Sequence, residues 1–430
     1  MVKKQRMVLF SAFLFSFITA IFPIATILLF KNSMFELSFV TKGIVHLLFI
    51  WILSNLIAAV IGTTIGMVIK NDFSVFVSGA IYSIFLWESI KISNAPLHKF
   101  LNIFDDYTNV GSNEISGVIF NSTYYLDKIF LVLFIVCILF LFQTIFGHTR
   151  RKLSLLFSIV TLLLLVFTAL TGEKTVQTFH GPYHPIKANF FDVQSYHMEL
   201  DLQNKLYNKA LLKLVFSEDE NEIQLLLDHN FIIKKIEVEN KSVAYSHKNN
   251  MLTVQSSHRN GEEIDLLVEY EGKVFVENDL GVVTFYVSKN AINLPGHVFY
   301  WYPGLSDTRL ADFDVQIKTP VTVYSNLPKA EHEQNVWRGK STSLNVFAGQ
   351  YQTISDNGID YVFPISYHFE EFKSNIEGSI KQLMKDKNLS ESEYITLKDR
   401  KYKQVIVGVW PLYMGDAQII GDTLLINYIE

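Results

Sequence analysis

The chain of 430 residues has one cysteine, Cys137. That single thiol excludes an intramolecular disulfide and any metal site built on several cysteines. Cys137 lies within an apolar run, where a thiol acts as a small packing residue. A basic excess is also lacking. The formal net charge is −5, without the cationic footprint that a nucleic-acid-binding face needs. Charge is scarcest before residue 173, where Phe, Leu, Ile and Val dominate, and beyond that point the polarity is that of an ordinary water-exposed domain. The averaged composition therefore describes two unlike parts.

The dividing stretch is Arg150 to Gly172, RRKLSLLFSIVTLLLLVFTALTG. Its uncharged part at about 1.5 Å per residue matches a hydrocarbon core of about 30 Å. Similar runs give spans at Met7–Phe30, Gly43–Ile69, Phe73–Ile90, Ile129–Gly147 and Leu153–Thr171, five in all. The first run exceeds a signal-peptide core, and no small-x-small cleavage site closes it, so it reads as a retained span. With five crossings, Lys3, Lys4, Arg6, Lys70, Arg150, Arg151 and Lys152 all fall on one side. Basic residues mark the cytoplasmic side. The N-terminus is thus expected in the cytoplasm of a plasma membrane, bacterial in character, and everything after Glu173 outside it.

In the second span Ala58, Gly62 and Gly66 recur every fourth residue, a stripe that lets another helix approach closely. It suits packing within the chain or a homo- or hetero-oligomeric interface. Asn55 on the same span needs a hydrogen-bond partner, and Glu88 in the third reads as a helix end near the outer boundary. Between Lys91 and Asp127, Leu97, Phe100, Leu101, Ile103 and Phe104 suggest a short interfacial helix, with Asp105 and Asp106 a solvated pair.

The run LIAAVIGTTIGMVIKNDFSVFVSGAIYSIF takes a glycine-bearing span through a very short turn into the next. With the outer amphipathic stretch, it resembles the membrane domain of type-2 ABC exporter permeases. That resemblance implies six spans and a separate cytoplasmic ATPase partner. Five spans are found, and this chain has no phosphate-binding loop of its own.

From Ile186 the period changes to that of strands. Alternation with β-branched and aromatic residues runs through HMELDLQNKLYNKALLKLVFSE and EIQLLLDHNFIIKKIEVENKSVAYSHKNNMLTVQSS, and continues in EEIDLLVEYEGKV. Turn signals at Lys248-Asn249-Asn250, Arg259-Asn260-Gly261 and Glu271-Gly272 separate the runs. Short strands at this spacing predict an antiparallel sandwich or saddle of sheets. After Tyr361, FEEFKSNIEGSIKQLMKDKNL has helical period with charge on one face, followed by two strand-like runs.

The order of Trp301-Tyr302-Pro303, a strand ending at Pro320, and the turn Ser325-Asn326 is similar to the N-terminal β domain of aminopeptidase N-like zinc peptidases. Leu327 stands where that family usually has glycine. The segment after Tyr361 resembles the start of its thermolysin-like catalytic domain, with a first helix, a strand ending at Pro411, and an edge strand for peptide. The family's Gly-Ala-Met-Glu-Asn strand corresponds to Gly415, Asp416, Ala417, Gln418 and Ile419. Those first four positions are the substrate-binding candidates the resemblance implies. Gln418 replaces the glutamate that holds a peptide's free amine, and it brings no negative charge.

The family's chemistry requires His-Glu-x-x-His on a helix, two zinc ligands one turn apart with a general base between them. This chain lacks it. His332-Glu333-Gln334-Asn335-Val336 has no second histidine, and His180-Gly181-Pro182-Tyr183-His184 carries glycine and proline against a helix, so a linker is the better reading there. No Gly-x-Ser-x-Gly elbow appears either. No catalytic residue, metal ligand or cofactor is therefore assigned, and zinc enters only if a partner supplies ligands.

The sequence thus predicts a membrane α-helical bundle over 1–172, an extracytoplasmic all-β domain over 173–360, and a partial α+β segment over 361–430. Its expected function is that of a permease-like membrane subunit bearing a peptide-binding module without peptidase activity. The alternative is the front of a split or truncated membrane-anchored aminopeptidase. Membrane lipid, peptide and a cytoplasmic ATPase are the implied partners.

Overall fold

The computed structural model describes residues 2–30, 35–90, 114–120, 122–146, 151–175, 177–179, 190–277, 283–305, 309–386, 402–411 and 415–427. The chain forms two compact units. One holds the apolar helices, and the other the sheets together with the single helical turn at 114–116.

The helical unit consists of α1 (Val2–Phe30), α2 (Leu37–Val68), α3 (Phe73–Ile90), α4 (Ser122–Phe146) and α5 (Arg151–Thr175). These helices are apolar on every face, the pattern of segments surrounded by lipid or by one another. Phe22, Leu29, Val75 and Phe76 are each more than 70% exposed, which only a hydrocarbon environment tolerates in such density. Leu53, Ile57 and Val60 of α2 pack on Leu131 and Ile135 of α4. Cys137 is buried with Phe130 and Leu165 between α4 and α5, as a small packing residue. Asn55 donates to the Trp51 carbonyl one turn back at 2.9 Å, so its amide is satisfied within its own helix.

Among the described residues four helices, not five, are long and apolar enough to cross a bilayer: Arg6–Leu29, Leu37–Val68, Tyr124–Phe146 and Arg151–Thr171. The third expected span falls short. Its apolar part is Phe73–Trp87, which at about 1.5 Å per residue reaches about 22 Å against a core of about 30 Å. Counting Phe73–Ile90 as a span included Glu88, whose side chain lies outside the described residues, as do Leu97 to Asp106, His180 and His184.

The β unit begins with β1 (Gln177–Thr178), β2 (Phe191–Leu202), β3 (Leu206–Phe216), β4 (Glu220–Leu226), β5 (Ile232–Val238) and β6 (Lys241–Ser242). Then come β7 (Tyr245–Lys248), β8 (Met251–His258), β9 (Glu263–Gly272), β10 (Phe275–Glu277), β11 (Val283–Val287) and β12 (Ile292–Pro295). They are followed by β13 (Ala311–Lys318), β14 (Tyr324–Ser325), β15 (Val336–Ser341), β16 (Asn345–Ala348), β17 (Tyr351–Asp356) and β18 (Ile359–Pro364). The chain continues through α6 (Phe369–Asp386), β19 (Gln404–Gly408), β20 (Ala417–Ile420) and β21 (Thr423–Asn427).

The largest sheet has the order β15-β13-β2-β3-β9-β5-β6. A bulge between Val193 and Ser195 of β2 shifts the register. It moves the inward phase from Phe191 and Val193 to Tyr196, Met198, Leu200 and Leu202, as one inserted residue must. The outward face carries a ladder of ion pairs: Lys209–Glu199 at 2.9 Å, Lys213–Glu263 at 2.7 Å, Lys205–Glu271 at 2.6 Å and Arg338–Asp314 at 2.8 Å. Asn249 and Asn250 take positive φ between β7 and β8, the left-handed turn their sequence announced.

An antiparallel sandwich or saddle of sheets was expected, and the pairing is mixed. β2 runs parallel to β13, and β1 parallel to β10. The inner faces meet over a core that includes Trp301, Tyr270, Phe285, Phe299 and Phe347. Tyr270 donates to the Trp301 carbonyl at 2.7 Å, and the Leu344 amide donates to the Tyr302 hydroxyl at 3.0 Å. The Trp-Tyr segment is thereby fixed in the core. Asn326 accepts the Asn345 amide at 2.8 Å and donates to the Ser343 carbonyl at 2.9 Å, which orders the Ser325-Asn326 turn.

Candidate peptide-binding edge and cavity

The third sheet has the order β17-β18-β19-β21-β20. β18, β19 and β21 run parallel, with antiparallel β17 and β20 closing the two ends. One face is covered by α6, whose Phe372, Ile376, Ile380 and Leu383 recur at helical spacing on its buried side. Glu370 and Glu371 in its first turn and Lys385 in its last complement the helix dipole. Phe363 of β18 stacks on Phe372, with centroids 4.7 Å apart.

β20 is where the sequence placed substrate-binding positions. Its register with β21 pairs Ala417 with Ile426, Gln418 with Leu425, Ile419 with Leu424 and Ile420 with Thr423. Only Gly421 and Asp422 separate Ile420 from Thr423, and a two-residue connection makes its closing pair hydrogen-bonded. Alternation then makes Gln418–Leu425 the next hydrogen-bonded pair. The Asn427 amide donating to the Asp416 carbonyl at 2.8 Å fits that phase. The backbone groups of Ala417 and Ile419 therefore point away from β21, toward an edge on which no other strand pairs among the described residues. Ala417 is fully buried, whereas Ile419 is half-buried. Gly415 takes a φ of +91°, which favours glycine, as the chain turns into this strand.

Beneath α6 lies a cavity of about 270 Å³. Phe372 and Ile376 of the helix and Val407 and Ile426 of the sheet form its apolar lining, and Asp416 and Asn427 bring polar groups to it. Val407 and Asn427 stand at the carboxyl ends of parallel strands, the usual location of ligand crevices in such sheets. Tyr351 donates to the Val407 carbonyl at 2.9 Å, and burial holds its phenol well above the ordinary range.

Two asparagines that sequence reasoning did not single out frame the approach to β20. Asn427 accepts from the Trp410 amide at 3.0 Å and donates to the Trp410 carbonyl at 2.9 Å. Asn293 donates to the Val409 carbonyl at 2.6 Å and accepts from the Val409 amide at 3.3 Å. Each side chain thus satisfies both backbone groups of one residue beyond the end of β19. Trp410 in turn donates from its indole to the Gly415 carbonyl at 2.8 Å, which fixes the start of the turn into β20. The only sequence signal was that asparagine is unusual in an otherwise apolar strand.

The expected helix-packing positions lie elsewhere, on α2. The face that α2 buries is Leu53, Ile57, Val60 and Thr64. A Cβ at Gly62 or Gly66 would meet nothing within 4 Å, and Ala58 is half-buried.

Among the described residues no three His, Cys, Asp or Glu side chains group to hold a metal. His332 takes a φ of +66° in a turn before β15, incompatible with a zinc helix, and Glu333 is occupied by Arg338 at 3.1 Å. The described residues therefore do not fit the zinc that the resemblance implies.

No protein-family model matches this chain, and no curated protein matches it in sequence. Solved structures do. The M1 zinc metallopeptidase from Deinococcus radiodurans is 13% identical with a TM-score of 0.38, over 56% of this chain and 61% of that one. A mutant of that enzyme bound to Tyr-Ser-Ala substrate has 13% identity and a TM-score of 0.38, over 54% and 60%. Yeast LTA4 hydrolase in complex with bestatin is 11% identical with a TM-score of 0.38, over 57% of this chain and 43% of its own. The chain thus spans about three fifths of the first two structures it resembles.

Proposed function

We propose that this chain is a membrane-anchored protein whose β unit binds peptide in extended form along β20, and that its own residues do not hydrolyse it. The observation carrying this reading is the end position of β20, with the Ile419 amide and carbonyl directed away from β21. An extended peptide adds to such an edge through its backbone, and adjoining pockets read its side chains. The sequence resemblance supports the same reading, since Gln418 falls where the aminopeptidases carry an amine-binding glutamate. An uncharged amide at that position accepts a hydrogen bond without selecting a free ammonium group.

Hydrogen exchange of the full chain in lipid nanodiscs, with and without an apolar hexapeptide, tests this. Protection is expected at 417–420, and Ile419→Pro, which deletes an outward amide while sparing the β21 ladder, is expected to abolish it. Gln418→Glu is expected to introduce preference for a free over an acetylated peptide N-terminus. Protection that survives Ile419→Pro would overturn the reading.

The proposal includes a β unit outside the cytoplasm. Lys3, Lys4, Arg6, Lys70, Arg150, Arg151 and Lys152 share one side only if α3 also passes through the membrane. Its shortfall of about 8 Å costs fractions of a kcal/mol per Å, which local thinning of the bilayer absorbs.

A permease role for the helices, with a cytoplasmic ATPase partner, is a second reading. The feature favouring it is the tight connection at 69–72, where the Asn71 side chain accepts the Phe73 amide at 3.1 Å to start α3. Co-purification of an ATPase at near-equal amount would support it, and a partner carrying His-Glu-x-x-His would favour a split peptidase.

A further inference from the structure

The β unit has a second hollow, between β2 and β13 of the largest sheet and the segment 296–305. Its volume of about 50 Å³ is room for a few heavy atoms, against the roughly 300 Å³ at which ligand pockets usually begin. Val193, Ala311 and Phe313 give it apolar walls, and Tyr196, Thr342 and Arg309 bring donors to it. His297 also lines it, with Nδ1 hydrogen-bonded to Asn345 at 2.8 Å. Among the described residues that line it, no side chain is acidic.

Tyr196 is fixed there on two sides. Its ring stacks on Phe313, with centroids 4.7 Å apart, and meets Tyr302 at 5.6 Å with the planes at 89°. The bulge between Val193 and Ser195 gives Tyr196 its inward phase, and the residue is 5% exposed. Tyr270 and Tyr302, buried beside it, have their hydroxyls bonded to the Trp301 carbonyl and the Leu344 amide. The Tyr196 hydroxyl makes no hydrogen bond to any other described residue, although a buried hydroxyl without a partner is costly. Burial holds this phenol well above the ordinary range, so at neutral pH it keeps its proton to donate. The half-buried Thr342 hydroxyl likewise bonds no described residue. Arg309, on the exposed side, pairs with Asp192. A guanidinium serves two carboxylates at once, as Arg338 does for Asp314 and Glu333.

We propose that this hollow binds a carboxylate group, with Tyr196 and Thr342 donating to its oxygens and Arg309 supplying positive charge. Two hydroxyls suit two oxygens. A phosphate would press further oxygens against Val193, Ala311 and Phe313, where nothing satisfies them. A free small acid and the C-terminus of a peptide carry the same group. The site does not depend on what binds at β20.

The test is hydrogen exchange of the full chain in lipid nanodiscs with sodium acetate, with acetamide as its uncharged counterpart, and with inorganic phosphate. Acetate at about twice its dissociation constant is expected to slow exchange at 296–305 about threefold. Acetamide and phosphate are expected to leave it unchanged. Trialanine as the free acid and as the amide separates the two sources. Protection by the free-acid peptide at lower concentration than acetate assigns the site to a chain terminus, and protection by acetate alone assigns it to small acids. Tyr196→Phe, which deletes only the hydroxyl, is expected to raise the acetate requirement at least about tenfold, the worth of one hydrogen bond to a charged group. Without acetate it should leave exchange at 191–202 no faster than in the parent protein, because the hydroxyl holds no protein group. Thr342→Val is expected to weaken acetate binding less strongly, and it decides the matter if Tyr196→Phe does not fold. Acetate and acetamide acting alike, phosphate protecting as well as acetate, or acetate protection unchanged in both variants overturns the proposal. Faster exchange at 191–202 in Tyr196→Phe overturns it too, since the hydroxyl would then be bonded within the fold.

Discussion

Replacing Asn427 by leucine keeps side-chain volume while removing both hydrogen bonds to Trp410. Trp410 and Asn427 are each 1% exposed, so water cannot take over the vacated amide and carbonyl. An orphaned buried polar group costs about 1–3 kcal/mol, and two cost about 2–6 kcal/mol. The leucine side chain recovers about 1–2 kcal/mol by exchanging polar atoms for apolar ones in a buried site. At the middle of these ranges a net loss of about 2.5 kcal/mol remains, roughly 60-fold in a local opening equilibrium at 1.4 kcal/mol per decade. Hydrogen exchange is the appropriate assay, because a protein with a membrane-embedded unit has no single unfolding transition. The increase should be confined to 409–411 and 416–427, with β2, β3 and β9 unchanged. Gln203→Leu, an exposed substitution between β2 and β3, serves as the control. An increase below about fivefold at 416–427 would refute the claim that Asn427 holds the approach to β20.

Alkaline pH gives a second check. Burial holds Tyr196, Tyr270, Tyr286, Tyr302 and Tyr351 above the ordinary phenol range, and burial with the Glu269 hydrogen bond pushes Tyr207 up to about 12. Because the folded state keeps protons that the unfolded chain releases near pH 10, stability is constant below that pH and falls as pH rises above it, for Tyr207 until about 12. Phenolate absorbance should therefore rise together with loss of near-ultraviolet circular dichroism, and ionisation of all tyrosines near pH 10 with the dichroism intact would contradict this. For sidedness, Lys70→Cys, Lys152→Cys and Ser257→Cys on a background whose only other thiol is buried should give labelling of intact cells by an impermeant maleimide at position 257 alone; the reverse pattern would place the β unit in the cytoplasm. Gly408→Ala would bring a Cβ within 2.6 Å of the Phe347 ring, and a loss of about 1–3 kcal/mol is expected, read by exchange in β16 and β19.

Features that depend on local periodicity were legible in the sequence. The alternation in β2 and β3, the Asn249-Asn250 turn and the amphipathic α6 each announce themselves within a few residues. The parallel pairing of β2 with β13 does not, because alternation records which face a residue takes and not which strand lies beside it. The bounds of α3, Phe73–Ile90, were legible too, although its described apolar part, Phe73–Trp87, is too short to count among the spans. Resemblance to a family directed attention to residues 415–418, and the structure places Ala417 and Gln418 on the end strand of the third sheet. Asn293 and Asn427 carried no comparable signal, since Asn293 acts on a residue 116 positions away. Ile115 was hidden for a different reason: nothing in its local sequence marks it for the core of the β unit, where it is buried beside Gly349.

The ion-pair ladder on the outward face of the largest sheet affects how this protein lives beside a bilayer. A domain tethered to lipid meets anionic headgroups at high local concentration, and each unpaired Lys or Arg near them adds about 1 kcal/mol of adhesion. Here Lys209 and Lys213 have their proton affinity raised chiefly by hydrogen bonds to Glu199 and Glu263, and Arg338 by hydrogen bonds to Glu333 and Asp314. Such pairs contribute little to folding stability at an exposed surface. Their larger effect is to pair off cations that anionic headgroups would otherwise attract.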